Sequence, residues 1–110
     1  MKIKKTEKDG ITVLAIKGEV TINTSPELRR TFEELYDSGA RKIVVDFEKV
    51  PYIDSSGLSV LIEMLQRFRQ NGGAIALANM IDKIKYLFEI AKMDMLMSIY
   101  ESQQEAIASL

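Results

Sequence analysis

Hydrophobic positions along the chain follow two spacings, one typical of buried strands and one typical of helices. Ile43, Val44 and Val45 form a continuous β-branched run, and residues 74–78 form a second short apolar run. Such runs predict strands that are covered on both faces of a sheet. Between them, apolar residues recur at the spacing of one helix face, at Leu58, Leu61, Ile62, Leu65 and Phe68.

The N-terminal part of the chain predicts a β-hairpin. Two strands, Ile3 to Glu7 and Ile11 to Val20, flank an Asp-Gly pair that supplies the positive φ angles of a tight turn. Gly18 predicts a bulge or a turn out of the sheet. The first strand carries Lys2, Lys4 and Lys5. These lysines form either a basic patch or, as we favour, the charged face of an edge strand that discourages aggregation.

Capping signals predict the first helix and the end of the second. Thr24 is a candidate N-cap, and Glu27 three residues later completes a capping box. We expect this helix to end near Ser38-Gly39, because Gly adopts the left-handed conformation of a helix C-terminus. Gly72-Gly73 should end the helix of the Leu58 stripe in the same way. The apolar stripe of the first helix is Leu28, Phe32, Leu35 and Tyr36.

Two more helices and a short strand are predicted in the C-terminal third. Asp82 to Ala91 carries one stripe, and Ser102 with Glu105 forms a capping box that opens the last helix. The stripes are Ile84, Leu87, Phe88 and Ala91 in the third helix and Ile107 and Leu110 in the fourth.

Met95 to Tyr100 is expected to form a short edge strand. The Met-rich stretch 93–97 is expected to fill the core rather than to form an adaptable contact surface.

The alternation of strands and helices defines the fold class. It predicts an α/β fold with a mixed, mostly parallel β-sheet of four to five strands and about four helices. In open sheets of this kind, ligands and partners meet the carboxyl ends of the strands. Three loops should converge there, namely Val20 to Thr24, Glu48 to Ser56 and Asn79 to Asp82.

The second of these loops ends in Asp54-Ser55-Ser56-Gly57, which predicts a helix start between Asp54 and Gly57. The unpaired N–H groups and the dipole of a helix N-terminus favour negative charge, so a phosphoryl group would be well received there. The alternative is that Asp54, Ser55 and Ser56 only cap the helix. The four residues alone do not distinguish the two interpretations.

The run Tyr52-Ile53-Asp54-Ser55-Ser56-Gly57-Leu58, with the strand before it and the helix after it, resembles the anti-sigma factor antagonists, small bacterial members of the STAS domain family. Further similarities follow in the family's order over essentially the whole chain: Gly18-Glu19-Val20, Ile43 to Phe47, Gly72-Gly73 and Ile84-x-x-Leu87-Phe88. The resemblance implies a STAS-like fold and a single STAS domain over residues 1–110. It implies that Ser55 is the phosphorylated serine.

The resemblance also implies partners. The unphosphorylated form would bind an anti-sigma factor that is also a serine kinase, which frees a sigma factor, and a phosphatase would act on phosphorylated Ser55. Asp54, Ser56, Gly57 and Thr21 would support the site, with Ser56 as the neighbouring cap. Members of the family often carry an acidic residue where this chain has Thr21. Its absence removes a negative neighbour of the serine and affects how efficiently Ser55 is phosphorylated.

The amino-acid composition excludes several classes of function for this protein. The chain has no Cys and no His, so disulfides, thiolate nucleophiles and the commonest general base are absent, and we expect no catalytic residue, no metal site and no cofactor. A net charge of −1 argues against nucleic acid as a partner. No apolar run reaches the roughly 18 residues of a membrane span. We expect a cytoplasmic protein that is a monomer or weak dimer and has no membrane partner.

Three rival functions remain at this point. An enzyme with a serine nucleophile lacks a His base, a Ser-x-x-Lys spacing and a Gly-x-Ser-x-Gly elbow. A nucleotide-binding module lacks the Gly-x-x-x-x-Gly-Lys-[Ser/Thr] loop. The third rival is a STAS scaffold or small-ligand sensor without a sigma pathway, and the sequence does not separate it from an anti-sigma factor antagonist.

Overall fold

The computed structural model describes all residues from 1 to 110. Five strands and four α-helices follow one another along the chain, with one 3₁₀ turn before the last strand. The strands are β1 (Lys2–Lys8), β2 (Ile11–Lys17), β3 (Lys42–Lys49), β4 (Ala74–Ala78) and β5 (Ser98–Tyr100). The helices are α1 (Ser25–Asp37), α2 (Ser55–Gln70), α3 (Asp82–Ile90) and α4 (Gln103–Ser109), and the 3₁₀ turn is Met93–Met95. None of these helices combines the length and the apolar character of a membrane span.

The strands form one sheet in the order β1-β2-β3-β4-β5, with β3 at its centre. Only β1 and β2 run antiparallel, and the other three pairs are parallel. The mixed, mostly parallel sheet with four helices predicted from the sequence is therefore confirmed. The lysine-rich β1 is an edge strand, as expected, and every residue from Lys4 to Lys8 is exposed.

β2 is shorter than predicted. It ends at Lys17 instead of Val20, because the register with β3 shifts between Ala15 and Lys17 and Gly18 then adopts a φ of 115°. This positive φ turns the chain out of the sheet, as the glycine indicated. Val20 rejoins the sheet region only through an isolated parallel bridge to Ile53.

The two faces of the sheet carry unequal cores. The larger core packs α1, α2 and α3 against one face and contains Phe32, Phe47, Phe68 and Phe88, all fully buried. The smaller core lies on the other face, where Ala106 of α4 packs against a few strand side chains such as Val44. The buried surface of α2 is wider than the predicted stripe. It includes Val60 and Met64, because α2 contacts both α1 and the sheet.

The helix ends test the predicted caps. Ser102 accepts a hydrogen bond from the Glu105 N–H at 3.1 Å, so the cap of α4 is confirmed. The capping box of α1 is wrong: Thr24 is at the N-cap position, but its side chain makes no cap hydrogen bond. The Thr24 hydroxyl instead donates to the Glu19 carbonyl at 2.9 Å and accepts from the Thr21 N–H at 2.8 Å. A loop contact has replaced the cap.

The Met-rich stretch is divided between the core and the surface. Met93 and Met97 are 3% and 5% exposed, as the core interpretation required. Met95 and Leu96 are 79% and 52% exposed, so that interpretation is wrong for the middle of the stretch. Met95 is the last residue of the 3₁₀ turn and Leu96 follows it. Both precede β5, which begins only at Ser98 and not at Met95 as predicted.

Candidate functional site

Two of the three predicted loops are joined by backbone hydrogen bonds in front of α2. The Val20 N–H donates to the Tyr52 carbonyl at 2.9 Å, and the Asp54 N–H donates to the Val20 carbonyl at 3.0 Å. The helix that follows the third loop reaches the junction through Lys83, whose ammonium group lies 6.0 Å from the centre of the Tyr52 ring. The convergence expected at the carboxyl ends of the strands is therefore confirmed for two of the three loops.

Asp54 is the side chain that organises this junction. One carboxylate oxygen, Oδ1, accepts from the Ser56 N–H at 2.9 Å, the Gly57 N–H at 3.3 Å and the Ser56 hydroxyl at 2.5 Å. The other oxygen, Oδ2, accepts from the Ile22 N–H at 3.0 Å. Asp54 thus caps α2 and also fastens the loop that follows β2.

These contacts favour the charged form of the carboxyl group. The hydrogen bond from the Ser56 hydroxyl, with backbone N–H donors from Gly57, Ile22 and Ser56, lowers the pKa of Asp54 below its ordinary value of 3.8. A negative charge therefore already occupies the N-terminus of α2. The N–H groups that we expected to receive a phosphoryl group are bound to the Asp54 carboxylate instead.

The two adjacent serines differ in what their hydroxyl groups contact. Ser55 is the first residue of α2, its side chain is exposed, and its hydroxyl has no hydrogen-bond partner in the molecule. Ser56 is half-buried and donates its hydroxyl proton to Asp54. Ser56 is therefore a hydrogen-bond donor to Asp54, which is the N-cap of α2. The predicted role of Ser56 as a cap is wrong. Of these two serines, only Ser55 presents a free hydroxyl to solvent.

Gly57 and Thr21 support the junction in different ways. A Cβ atom on Gly57 would lie 2.7 Å from Cγ1 of both Ile53 and Val20, so a glycine permits the close approach of α2 to the joined loops. Thr21 is half-buried, and its hydroxyl accepts from the Asn23 N–H at 3.3 Å. Thr21 thus shapes the loop and supplies no charge beside Ser55.

The surface around the junction also carries apolar side chains that the sequence analysis did not assign to the site. Ile22 is 72% exposed, and Tyr52 and Ile81 are about two-fifths exposed at 39% and 40%. The sequence did contain a signal for this surface, because Ile22 is a large apolar residue between the polar residues Thr21 and Asn23. The structure places no group of three His, Cys, Asp or Glu side chains where it could hold a metal ion. The junction therefore combines a free hydroxyl with exposed apolar surface, which suits contact with another protein.

The STAS domain profile matches residues 2–106, and the chain belongs to the STAS domain family. Among the relatives it resembles is the anti-sigma-B factor antagonist of Staphylococcus aureus strain NCTC 8325. The two are 31% identical over 104 residues, which cover 94% of this chain and 96% of the relative.

Solved structures show the same fold. The protein TM1081 of Thermotoga maritima superposes with a TM-score of 0.92 at 24% identity, covering 97% of this chain and 92% of that protein. The phosphorylated form of SpoIIAA, a Bacillus cell fate determinant, superposes with a TM-score of 0.75 at 19% identity, with 98% of each chain covered. At these identities the likeness concerns the fold.

Proposed function

We propose that this protein is an anti-sigma factor antagonist controlled by phosphorylation of Ser55. In the unphosphorylated form it binds an anti-sigma factor that is also a serine kinase, which releases a sigma factor for transcription. Phosphorylation of Ser55 breaks the complex, and a phosphatase restores the binding form. The protein acts in the cytoplasm as a binding partner, not as a catalyst, with residues 1–110 forming one STAS domain.

The free hydroxyl of Ser55 is the observation that carries this proposal. A kinase needs an accessible hydroxyl, and Ser55 is exposed whereas the Ser56 hydroxyl is hydrogen-bonded to Asp54. A phosphoryl group would add about −1.5 to −2 charges and three acceptor oxygens. Because Asp54 already holds the nearby N–H groups, the phosphoryl group would have few donors on its own chain and would face the partner.

The exposed apolar side chains give the same surface a means of binding. Ile22 and Tyr52 lie on the two joined loops beside Ser55, and the exposed Ile81 is the N-cap of α3, the helix whose Lys83 lies over the Tyr52 ring. Apolar anchors surrounded by polar groups are the usual centre of a protein interface. A new charge next to such anchors would be taken out of water on binding, which weakens the complex.

The relatives support the same conclusion from a different direction. The Staphylococcus aureus relative is named an anti-sigma-B factor antagonist, and the SpoIIAA structure is described as a phosphorylated form. Both align with nearly the whole of this chain. A scaffold without a sigma pathway would share the fold but would not need a free serine hydroxyl on an apolar contact surface.

Phosphorylation by the cognate anti-sigma kinase with Mg-ATP tests the proposal. We expect the purified protein to gain one phosphate, and fragmentation mass spectrometry to place it on Ser55. The Ser55→Ala variant should gain none, and the matched Ser56→Ala variant should still be phosphorylated. Phosphate on Ser56 or Thr21 in the wild-type protein would contradict the assignment of the site.

A further inference from the structure

The face of the sheet opposite α1, α2 and α3 is only partly covered. α4 has seven residues and packs over β3, β4 and β5, and the cluster around its Ala106 also buries Ile11 and Val13 at the start of β2. The end of β2 and the facing part of β1 lie outside that cluster, where Ala15 is half-buried and Lys17 is exposed. A cleft of about 630 Å³ lies there, with Ala15 of β2 in its floor and Gln103 of α4 in its wall. Ligand pockets in proteins usually have volumes of about 300 to 1,000 Å³.

Lysines surround this cleft in an arrangement set by the strand register. Lys2 of β1 is directly opposite Lys17 of β2, and Lys17 is directly opposite Lys49 of β3. Lys4 adds a fourth ammonium group to the lining. Like charges directly opposite one another destabilise a sheet, so this row is unfavourable in the protein by itself.

None of these lysines has an acidic partner. The ion pairs of the molecule join Arg29 to Glu63, Arg67 to Glu33 and Lys85 to Glu101, all outside the cleft. Within the lining, four lysines face two carboxylates, Asp46 and Glu48, which leaves a net charge of +2. An anion in the cleft would relieve the repulsion between the lysines.

One of the two acidic side chains in the cleft, Asp46, is already occupied by hydrogen bonds. Asp46 is buried, and its carboxylate accepts from the Glu48 N–H at 2.8 Å, from Asn79 at 3.2 Å and from Gln103 at 2.6 Å. These donors hold Asp46 in place and fix the Gln103 side chain against the cleft. The lysine side chains on the opposite side remain available to a ligand.

The position of the cleft in the fold favours binding as well. Lys17 and Lys49 are the last residues of two adjacent parallel strands. Ligands of open α/β sheets bind beyond the carboxyl ends of the strands. The Ser55 junction follows the same strand ends but belongs to the face covered by α2, so the two sites are separate.

We propose that this cleft binds a small anion that carries two or more phosphate groups, held by Lys2, Lys4, Lys17 and Lys49. Lysine ammonium groups bind phosphate as flexible point charges, and a row of them suits several phosphates better than one. The ligand is either a free phosphate compound or a phosphorylated lipid headgroup, since both present the same chemistry. The proposal stands independently of the Ser55 switch.

Titration with inorganic tripolyphosphate, followed by amide chemical shifts in NMR spectra, tests the site. We expect saturable shifts at residues 2–4, 15–17 and 46–49, and at least tenfold weaker binding in the double variant Lys17→Gln/Lys49→Gln. The matched control is Lys5→Gln/Lys8→Gln, which removes the same charge from exposed lysines outside the cleft lining and should bind within twofold of the wild type.

Several results would overturn the site. They are absence of binding, equal losses in the two double variants, and shifts confined to residues 54–57. Circular dichroism of each variant checks that the exposed substitutions leave the fold intact. Sedimentation with vesicles that contain cardiolipin, whose headgroup carries two phosphates, is compared with sedimentation with phosphatidylcholine vesicles. Cardiolipin-dependent sedimentation that is lost in the Lys17→Gln/Lys49→Gln variant assigns the site to a lipid headgroup, and its absence with retained tripolyphosphate binding assigns the site to a free compound.

Discussion

Ser55 and Ser56 have the same side chain and opposite chemical situations. The Asp54 carboxylate accepts a hydrogen bond from the Ser56 hydroxyl, with 2.5 Å between the oxygens, whereas the Ser55 hydroxyl stays exposed. The same carboxylate binds the Ile22 N–H from a loop more than thirty positions earlier in the chain. A single aspartate therefore determines both which serine is accessible and where the neighbouring apolar loop lies.

Opposite substitutions at Ser55 should have opposite effects on partner binding. Ser55→Ala removes the phosphorylated hydroxyl and leaves the apolar contacts, so its affinity for the anti-sigma factor should equal or exceed that of the wild type. Ser55→Asp adds a charge and should weaken binding at least tenfold, which corresponds to about 1.4 kcal/mol. Calorimetry in the presence of ADP measures both affinities.

Neither substitution at Ser55 should unfold the protein. Asp is accepted at the first turn of a helix, and the side chain of residue 55 is exposed. Ser59→Asp, an exposed change one turn further along α2, is the matched control and should bind like the wild type. Equal affinities of the Ala and Asp variants would contradict the phosphoswitch and favour a STAS scaffold.

Asp54 should make stability depend on pH in a defined direction. Its pKa is lower in the folded protein than the ordinary value of 3.8, chiefly because the Ser56 hydroxyl donates to the carboxylate. The charged Asp54 carboxylate therefore contributes fully to folding stability above the pKa that this group has in the unfolded chain. That contribution is lost as the pH falls through the lower pKa of Asp54 in the folded protein.

Urea denaturation of the wild type and Asp54→Asn measures this dependence. The wild type should be the more stable protein at about pH 6, and the difference in unfolding free energy should shrink at about pH 3. Asp94→Asn, which removes an exposed carboxylate without a hydrogen bond, should show no such change. A difference between wild type and Asp54→Asn that stays constant with pH would contradict the role of the charge.

At the scale of elements, the N-terminus of α2 is pressed against the two loops in front of it. Gly57 faces the side chains of Val20 and Ile53, which are the two residues of the isolated bridge. Both side chains are buried, at 0% and 3% exposure, and have little room to move. The absence of a side chain at residue 57 sets the distance between the helix and the loops.

Gly57→Ala should therefore destabilise the protein although Ala is the better helix former. The added methyl group would overlap Val20 and Ile53, and overpacking of this kind costs about 1 to 3 kcal/mol. Ser59→Ala on the exposed side of the same helix should be neutral or slightly stabilising. Denaturation monitored by circular dichroism measures the unfolding free energy of both variants. An unchanged unfolding free energy in Gly57→Ala would mean that the loops shift to make room for the methyl group, which contradicts the prediction.

Most elements could be predicted from the sequence because their signals are local. The bounds of β4 match the prediction, and the glycines at 39 and 72 lie beyond α1 and α2 with positive φ, as expected. Thr24 stands at the predicted N-cap position, but its capping hydrogen bond was wrongly predicted. A hydroxyl that satisfies a capping pattern can also donate to a loop carbonyl, and only the fold decides between the two. The width of the buried face of α2 was likewise missed, since it depends on α1 packing beside it.

The candidate site was predictable in part for the same reason. The start of α2 at Ser55 follows from neighbouring residues and was predicted. The contact between Asp54 and Ile22 joins residues 32 positions apart, and no local pattern announces it. The occupation of the helix N-terminus by Asp54 therefore became visible only in three dimensions.

At the scale of the whole molecule, stability rests on the larger core. Leu61 lies in that core and is 1% exposed, whereas Ser55 at the start of the same helix is exposed. α1, α2 and α3 share this core with the sheet, so damage to it should be felt throughout the chain.

Leu61→Ala should lower the unfolding free energy by about 2 to 5 kcal/mol. Ser55→Ala should change it by less than about 0.5 kcal/mol, which is smaller than a capping role would give, because Asp54 supplies the cap. Urea transitions followed by circular dichroism and by tyrosine fluorescence should coincide for both variants. A loss in Ser55→Ala as large as that in Leu61→Ala would mean that Ser55 is a buried structural residue.

The bridge between Val20 and Ile53 has a consequence for the entropy of association. Fixing the backbone of a mobile loop residue costs about 1 to 2 kcal/mol in conformational entropy. Here the backbone hydrogen bonds of Val20 and Asp54 already fix the loops in the folded protein, so this cost arises on folding and not on association. A partner would not have to order them, so the encounter would be a docking of surfaces whose backbones move little. Substitution of Ile22 or Tyr52 should then shorten the lifetime of the complex while leaving its rate of formation nearly unchanged.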